Sequence, residues 1–270
     1  MNEKSEAVAG VFDRAATTYD NVGVEFFSTI GRLLVADADI RSGERVLDVG
    51  CGRGAVLFPA AERVAPEGSV TGIDLAPSMV ALTARDAHDR GLDQVSVQRI
   101  DAQSPTFPDA LYDVVTASLV VFFLPDALAA LRAWRSLLAD GGRLAMTTFA
   151  GDDDERWNWL GDVFASDNPA PQPYDEGNPF RSTDRISGML QEAGFAAPQS
   201  TVRPMTLEFS SPEHWLDWSW SAGMRAEWEG LSEERRPVAR GEAVTHLEAM
   251  QDLHGTIPLD MSIRYTVAGR

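Results

Sequence analysis

The chain predicts a doubly wound α/β domain, on three observations. Short β-rich runs alternate with helical ones between residues 44 and 149, the first run breaks into a glycine turn, and the next two each end in an aspartate or just short of one. The runs are "RVLDVG", "SVTGIDL", "VSVQRI", "YDVVTAS" and "RLAMTTF", with helical stretches from about Ala55, after Pro77 and over 126 to 139. Strands this apolar are buried on both faces, and a strand-helix-strand order needs right-handed crossovers, so the sheet is parallel with helices on both sides.

Elements on either side extend this core. Val8, Val11, Phe12, Ala15 and Tyr19 fall at helical spacing, and Phe26, Phe27, Ile30, Leu33 and Leu34 mark a second helix. After residue 150 comes a Pro- and Trp-containing insertion in which Trp157, Trp159 and Phe164 need burial. A helix over about 183 to 193 then ends at Gly194, a C′ glycine. Strand-like "TVRPMTLEF", a Trp-bearing helical stretch over roughly 213 to 254 and a terminal strand "MSIRYTV" complete the chain. This divides it into N-terminal helices (1–40), a core (41–150) and a C-terminal part (151–270) with cap insertions at about 152–182 and 213–256.

Composition narrows the function classes. The 270 residues are 44% hydrophobic, enough for one large domain with a sizeable core. No run of about 18 apolar residues and no secretory leader is visible, so the expectation is a soluble, cytoplasmic protein. Cys51 is the single cysteine, which excludes an intrachain disulfide and a cysteine-built metal site. A net charge of -18 repels nucleic acid and anionic membranes, which leaves a small molecule as the expected partner and a homodimer open.

The stretch "VLDVGCGRGAV" carries the chemistry. Its glycines let the backbone turn sharply and let a ligand lie on it, ahead of a helix N-terminus. Gly50, Gly52 and Ala55 also match a dinucleotide fingerprint, so a nicotinamide oxidoreductase fits the spacing. Asp48 would oppose a pyrophosphate and favour an ammonium group, directly or through water. Asp74, 20 residues past Gly54, is placed to accept both hydroxyls of a ribose, whichever cofactor is bound. Asp101 and the N–H of Ala102 offer partners for the edge of an adenine.

These residues resemble the class I S-adenosylmethionine-dependent methyltransferases over most of the chain up to about residue 150. "VLDVGCGRG" is similar to the family's first motif, "VTGIDLAPSMV" to its second-strand motif, and "RIDAQSPTFPDALYDVVTAS" to its adenine and fourth-strand motifs. "LRAWRSLLADGGRLAMTTF" resembles its fifth-strand segment, and "VFDRAATTYD" the N-terminal helix of members related to quinone methyltransferases, which helps close over the cofactor. The resemblance implies a Rossmann-like seven-stranded sheet of order 3-2-1-4-5-7-6 with strand 7 antiparallel. It implies that Gly50, Cys51, Gly52 and Gly54 line the methionine and ribose of S-adenosylmethionine. Asp74 would take the ribose, Leu75 and Met79 would lie near the adenine, Asp101 and Ala102 would read its edge, and Ser118 would face the methionine. The sequence departs from the family where many relatives carry histidine after strand four, because here "SLVVFFLPD" has Phe122 and Phe123.

Other candidates carry two readings each. Cys51, read from its neighbours alone, is a small residue filling the loop, since nothing nearby lowers its pKa. Tyr19 either covers the methionine carboxylate or methyl acceptor, or packs the N-terminal helix. Trp157, Trp215, Trp218 and Trp220 are substrate-binding candidates, although aromatic stripes such as Trp220, Met224 and Trp228 more often form core. His214 is the candidate base among His88, His214, His246 and His254. The acidic run at 152–155 reads as a solvated loop, and no metal is expected. The expected reaction is methyl transfer from S-adenosylmethionine to a small, largely apolar acceptor, at oxygen, in specialised metabolism. Transfer to carbon or nitrogen, a peptide natural product as acceptor, or a cofactor-binding protein that catalyses another step such as cyclisation are the alternatives.

Overall fold

The computed structural model describes residues 3–107, 111–151, 154–165 and 179–270, apart from the side chains of Asp252 and His254. Its strands are β1 (Arg45–Val49), β2 (Ser69–Asp74), β3 (Val95–Arg99), β4 (Tyr112–Ser118), β5 (Leu138–Phe149), β6 (Ala196–Phe209) and β7 (Ile257–Gly269). They form one sheet in the order β3-β2-β1-β4-β5-β7-β6. The first five are parallel, and β7 runs antiparallel between β5 and β6, as the resemblance implied.

Helices α1 (Glu3–Ala15) and α2 (Phe27–Asp37) precede the sheet, and α3 (Leu57–Val64), α4 (Pro77–Asp89) and α5 (Ala127–Leu137) form its crossovers. The C-terminal part adds α6 (Trp159–Val163), α7 (Thr183–Glu192), α8 (Pro212–Ser221), α9 (Arg225–Gly230) and α10 (Arg235–His254). Local chemistry sets several starts. Pro77 opens α4, and the side chains of Asp126, Ser182 and Ser211 accept N–H groups at the first turns of α5, α7 and α8. No helix among the described residues is long and apolar enough to cross a membrane.

Three boundaries differ from the expected ones. Helix α1 stops at Ala15, before Tyr19, because Asp20 turns the chain by accepting the N–H groups of Phe26, Phe27 and Ser28 at the head of α2. Strand β5 begins at Leu138 rather than near Arg143: Leu138 pairs with Tyr112 and Arg143 with Val114, so residues 139–142 bulge out opposite Asp113. Strand β6 starts at Ala196, ahead of "TVRPMTLEF", and lies at the sheet's edge with largely exposed residues, so its first half lacks an apolar pattern.

The period-2 alternation of the strands sorts two cores. Val46 and Val114 pack on the side of α2 and α3, whereas Leu47, Val49 and Val115 pack with Trp134 of α5 on the other. Asp48 and Thr116 share the parity of Val46 and Val114, and both are buried. Thr116 Oγ1 donates to Asp48 Oδ1 at 2.8 Å. Burial pushes the Asp48 carboxyl up to about 7, against the opposing pull of that hydrogen bond.

Arg264 of β7 is also buried. It donates to the carbonyls of Phe149, Phe180 and Arg181 at 3.2, 2.7 and 2.7 Å, and to Thr183 Oγ1 at 3.0 Å. It thereby ties the end of β5 to the turn that leads into α7. Arg264→Met removes these hydrogen bonds from a buried position and is expected to lower stability by about 3 kcal/mol, read as a fall in the urea midpoint at constant slope.

The Asp48 carboxyl has a pH signature of its own. Its folded pKa lies above the unfolded value of about 3.9, so the folded chain holds a proton that the unfolded chain releases. The stability it contributes is full below that unfolded value and is lost as pH rises through about 7. Urea titrations of Asp48→Asn are expected to show a flatter stability profile than the parent chain between those two pH values and a parallel one above them.

Candidate functional site

The carboxyl ends of β1 to β4 open on one cavity, the place where an open α/β sheet binds ligands. The β1 loop lends Gly50 and Gly52; β2 and the helix after it lend Asp74, Leu75 and Met79. The loop after β3 adds Asp101 and Ala102, the end of β4 adds Ser118, and the turn beyond it adds Leu119, Val120, Phe123 and Leu124. Ser5, Val8, Ala9 and Phe12 of α1 form the roof, and Tyr19 closes one side. Nine of the residues expected to contact the cofactor therefore meet here: Tyr19, Gly50, Gly52, Asp74, Leu75, Met79, Asp101, Ala102 and Ser118.

The floor is held by backbone. Gly50 has φ +65°, and a Cβ on it would lie 2.4 Å from Val120 Cγ2, so β1 and the β4 turn approach as only glycine permits. Asp74 Oδ2 accepts the Gly52 N–H and Oδ1 the Ala76 N–H, each at 2.9 Å. Burial raises the Asp74 carboxyl above the ordinary range, while these N–H donors pull it down. Asp101 accepts the Gln103 N–H at 2.9 Å, and Trp134 Nε1 donates to Ala102 O at 2.8 Å. The Ala102 N–H meets no acceptor among the described residues. Leu119 adopts φ +56°, and Ser118 Oγ lies 3.0 Å from Thr147 Oγ1.

The roof is tied down by polar and aromatic contacts. Asp13 of α1 accepts the Ser78 N–H at 2.6 Å, and Arg53 donates to Ala16 O at 2.8 Å. Arg14 pairs with Glu229 of α9. Phe12 meets Phe123 edge-on with ring centroids 5.4 Å apart, and Tyr19 stacks on Phe27 at 4.3 Å. Tyr19 thus both packs the roof and faces the cavity, with burial pushing its phenol well above the usual value.

Other expected site residues lie elsewhere. Asp48 is turned into the core by strand parity and does not line the cavity. Cys51 is buried toward β2, its Sγ 2.9 Å from where a Cβ on Gly72 would stand, and burial drives its thiol up. This agrees with the loop-filling reading of Cys51. Gly54 borders a second, polar groove behind the loop, which Tyr19 also borders.

His214 is a clasp: its Nδ1 accepts the Ser210 N–H at 3.2 Å, which leaves Nε2 to donate to Val22 O at 2.9 Å. With both ring nitrogens engaged and the ring outside the cavity lining, it is not placed as a base there. Trp157, Trp215, Trp218 and Trp220 also miss the cavity, because they pack into the hydrophobic core of the C-terminal part. Trp157 stacks between Trp159 and Trp215; Trp218 packs on Phe26 and Phe209; Trp220 stacks on Trp228. His88 and His246 are exposed, and the His254 side chain and residues 152 and 153 lie outside the described residues. Asp154 pairs with Arg156 at 2.6 Å.

Sequence reasoning did not single out Ser5, Ala9, Leu119, Val120 or Leu124. The left-handed backbone at Leu119 has no local sequence signal, since leucine rarely adopts it.

The profile of the Methyltransferase domain family matches residues 46–142. Nocamycin O-methyltransferase of Saccharothrix syringae is 39% identical over 252 residues, covering 88% of this chain and 90% of its own length. Aklanonic acid methyltransferase DauC of Streptomyces sp. strain C5 is 49% identical over 141 residues, 52% of this chain and 64% of that protein. The crystal structure of the YcgJ protein from Bacillus subtilis shares the fold with a TM-score of 0.61 at 20% identity, covering 90% of this chain and 98% of that one. The glycine loop, the strand order and the relative matched along nearly its whole length converge: the chain belongs to the class I S-adenosylmethionine-dependent methyltransferases, and S-adenosylmethionine is its cofactor.

Proposed function

We propose that the chain transfers a methyl group to oxygen on a small, largely apolar acceptor in specialised metabolism, with the cofactor held in the cavity at the strand ends. The observation that carries this reading is the 39% identity to Nocamycin O-methyltransferase over 88% of the chain. The aklanonic acid methyltransferase supports the same substrate class. On this reading residues 1–40 roof the cofactor, 41–150 bind it, and 151–270 supply the last strands and the cap.

The residues present fit S-adenosylmethionine. Gly50 leaves the cavity floor as bare backbone on which a ligand can lie, the Asp74 carboxylate suits a ribose diol, and the Asp101 carboxylate with the Ala102 N–H, unbonded among the described residues, suits an adenine edge. When bound, the cofactor supplies a methyl group already activated on a sulfonium. Asp74 is held in place by two N–H groups, so it pays little reorganisation to accept hydroxyls. Val8, Phe12, Val120, Phe123 and Leu124 give the cavity an apolar side that excludes water and suits an apolar methyl acceptor. Asp74 and Asp101 are the acids in the lining, and both already accept backbone N–H groups. Alignment then does most of the work, and fixed geometry of that kind supplies about 7 to 11 kcal/mol. An acceptor whose hydroxyl ionises readily, such as a phenol or enol, suits a cavity without a histidine.

Calorimetry tests the site: Asp74→Ala is expected to weaken S-adenosylhomocysteine at least tenfold, and unchanged binding would remove the cofactor from this cavity. A mass-spectrometric methylation assay over a panel of phenols and enols tests the reaction, O-methylated products being the expected outcome. In that assay His214→Ala is expected to keep kcat within about twofold while losing about 1 to 2 kcal/mol of stability through its two clasp hydrogen bonds. A hundredfold drop in kcat with normal stability would return His214 to catalysis.

A further inference from the structure

We propose that Thr147 is a positioning residue: it turns the Ser118 hydroxyl so that its proton points into the cavity, as a donor to the carboxylate at the amino-acid end of the cofactor. This rests on the reading that the cavity holds S-adenosylmethionine.

The argument is one of counting protons. Thr147 on β5 is fully buried, and its hydroxyl has one proton to place. Thr147 Oγ1 accepts the Leu119 N–H at 3.1 Å and lies 3.0 Å from Ser118 Oγ. Ser118 Oγ is the only acceptor its proton meets among the described residues. A buried hydroxyl proton without an acceptor is costly, so Thr147 donates to Ser118. Ser118 Oγ receives that bond, and its own proton is left for the cavity that Ser118 lines.

The sheet says which part of a ligand meets this donor. Asp101, Asp74, Gly50 and Ser118 stand at the ends of four adjacent strands, β3, β2, β1 and β4. Neighbouring strands lie about 4.8 Å apart, so Ser118 is roughly 14 Å across the row from Asp101. If Asp101 meets the adenine and Asp74 the ribose, Ser118 meets the opposite, amino-acid end. Of the two charged groups there, an ammonium has no lone pair to accept a proton, and a carboxylate has four acceptor sites. Ser118 Oγ keeps one lone pair that an ammonium could use, but its spare proton finds an acceptor only in the carboxylate. The hydroxyl of Thr147 can be removed without unpinning the turn, because the Leu119 N–H also meets Thr147 O at 3.2 Å.

The test is calorimetry on the full chain with two probes, S-adenosylhomocysteine and 5′-methylthioadenosine, the second lacking the amino-acid end. Thr147→Val and Ser118→Ala are each expected to weaken S-adenosylhomocysteine roughly three- to tenfold, the loss of about one hydrogen bond, and to leave methylthioadenosine within twofold. Thr147→Ser is expected to restore the parent affinity, and the double variant to lose no more than Ser118→Ala alone, since both act through one contact. Unchanged S-adenosylhomocysteine binding in Thr147→Val, an equal loss of both probes, or additive losses in the double variant would each overturn the proposal. Asp74→Ala separates the two levels: if it spares both probes, the reading of the cavity fails; if it weakens both while Thr147→Val weakens neither, only the role of Thr147 fails.

Discussion

Asp74 is the contact on which the site depends. Its two oxygens take the N–H groups of Gly52 and Ala76, so one side chain fastens the glycine loop of β1 to the start of the chain beyond β2. That loop can turn at Gly52 only because its backbone adopts φ +49°, and its carbonyl is in turn held by the Thr83 hydroxyl at 2.7 Å. A carboxylate locked this way is a structural tie and a preset hydrogen-bond acceptor at once. The energy needed to order it is spent in folding, before any ligand arrives.

Around that tie, the N-terminal helix is held by two distant parts of the chain. Helix α1 roofs the cavity, yet it is anchored on α4 through Asp13 and Ser78 and on α9 through Arg14 and Glu229. Burial and both arginine partners act on Glu229, and hydrogen bonding to Arg14 leads in holding its carboxyl below the usual range. Arg225 supplies the second of these partners at 2.8 Å and lies over the ring of Trp220. The tryptophans of the C-terminal part thus act at a distance from the cavity: Trp220 stacks on Trp228 of α9, and α9 places Glu229 against α1.

Much of this was legible in the sequence, and the limits have physical causes. Strand order, the glycine turn and the acids at the ends of β2 and β3 follow from patterns that each carry their own chemistry, and the structure brings Gly50, Asp74, Asp101 and Ser118 to one cavity. Asp48 stands beside the glycine loop in sequence, yet the alternation that puts Val46 on the side of α2 puts Asp48 there too, so the period of the strand outranks its nearness to the loop. His214 looked like the chemistry of the cap until its ring nitrogens were found between Ser210 and Val22, a pairing 192 residues apart for which no local pattern exists. The tryptophans show the same limit from the other side. Their spacing announced burial, and only tertiary packing decides whether a buried ring faces a neighbour or a ligand.

The outer rim of the sheet has a consequence of a different kind. Strand β6 is 14 residues long, pairs with β7 alone among the described residues and carries exposed residues along most of its length. An unpaired ladder of that length is a template onto which a strand from another molecule could zip. Pro204 sits near its middle, opposite Ser262, and proline has no N–H to offer a ladder. Together with the charge of the exposed Glu208 it interrupts the row, as natural sheets do where extension must be resisted. A proline at this point disfavours edge-to-edge pairing between copies of the chain, and so works against aggregation through this strand in a concentrated solution.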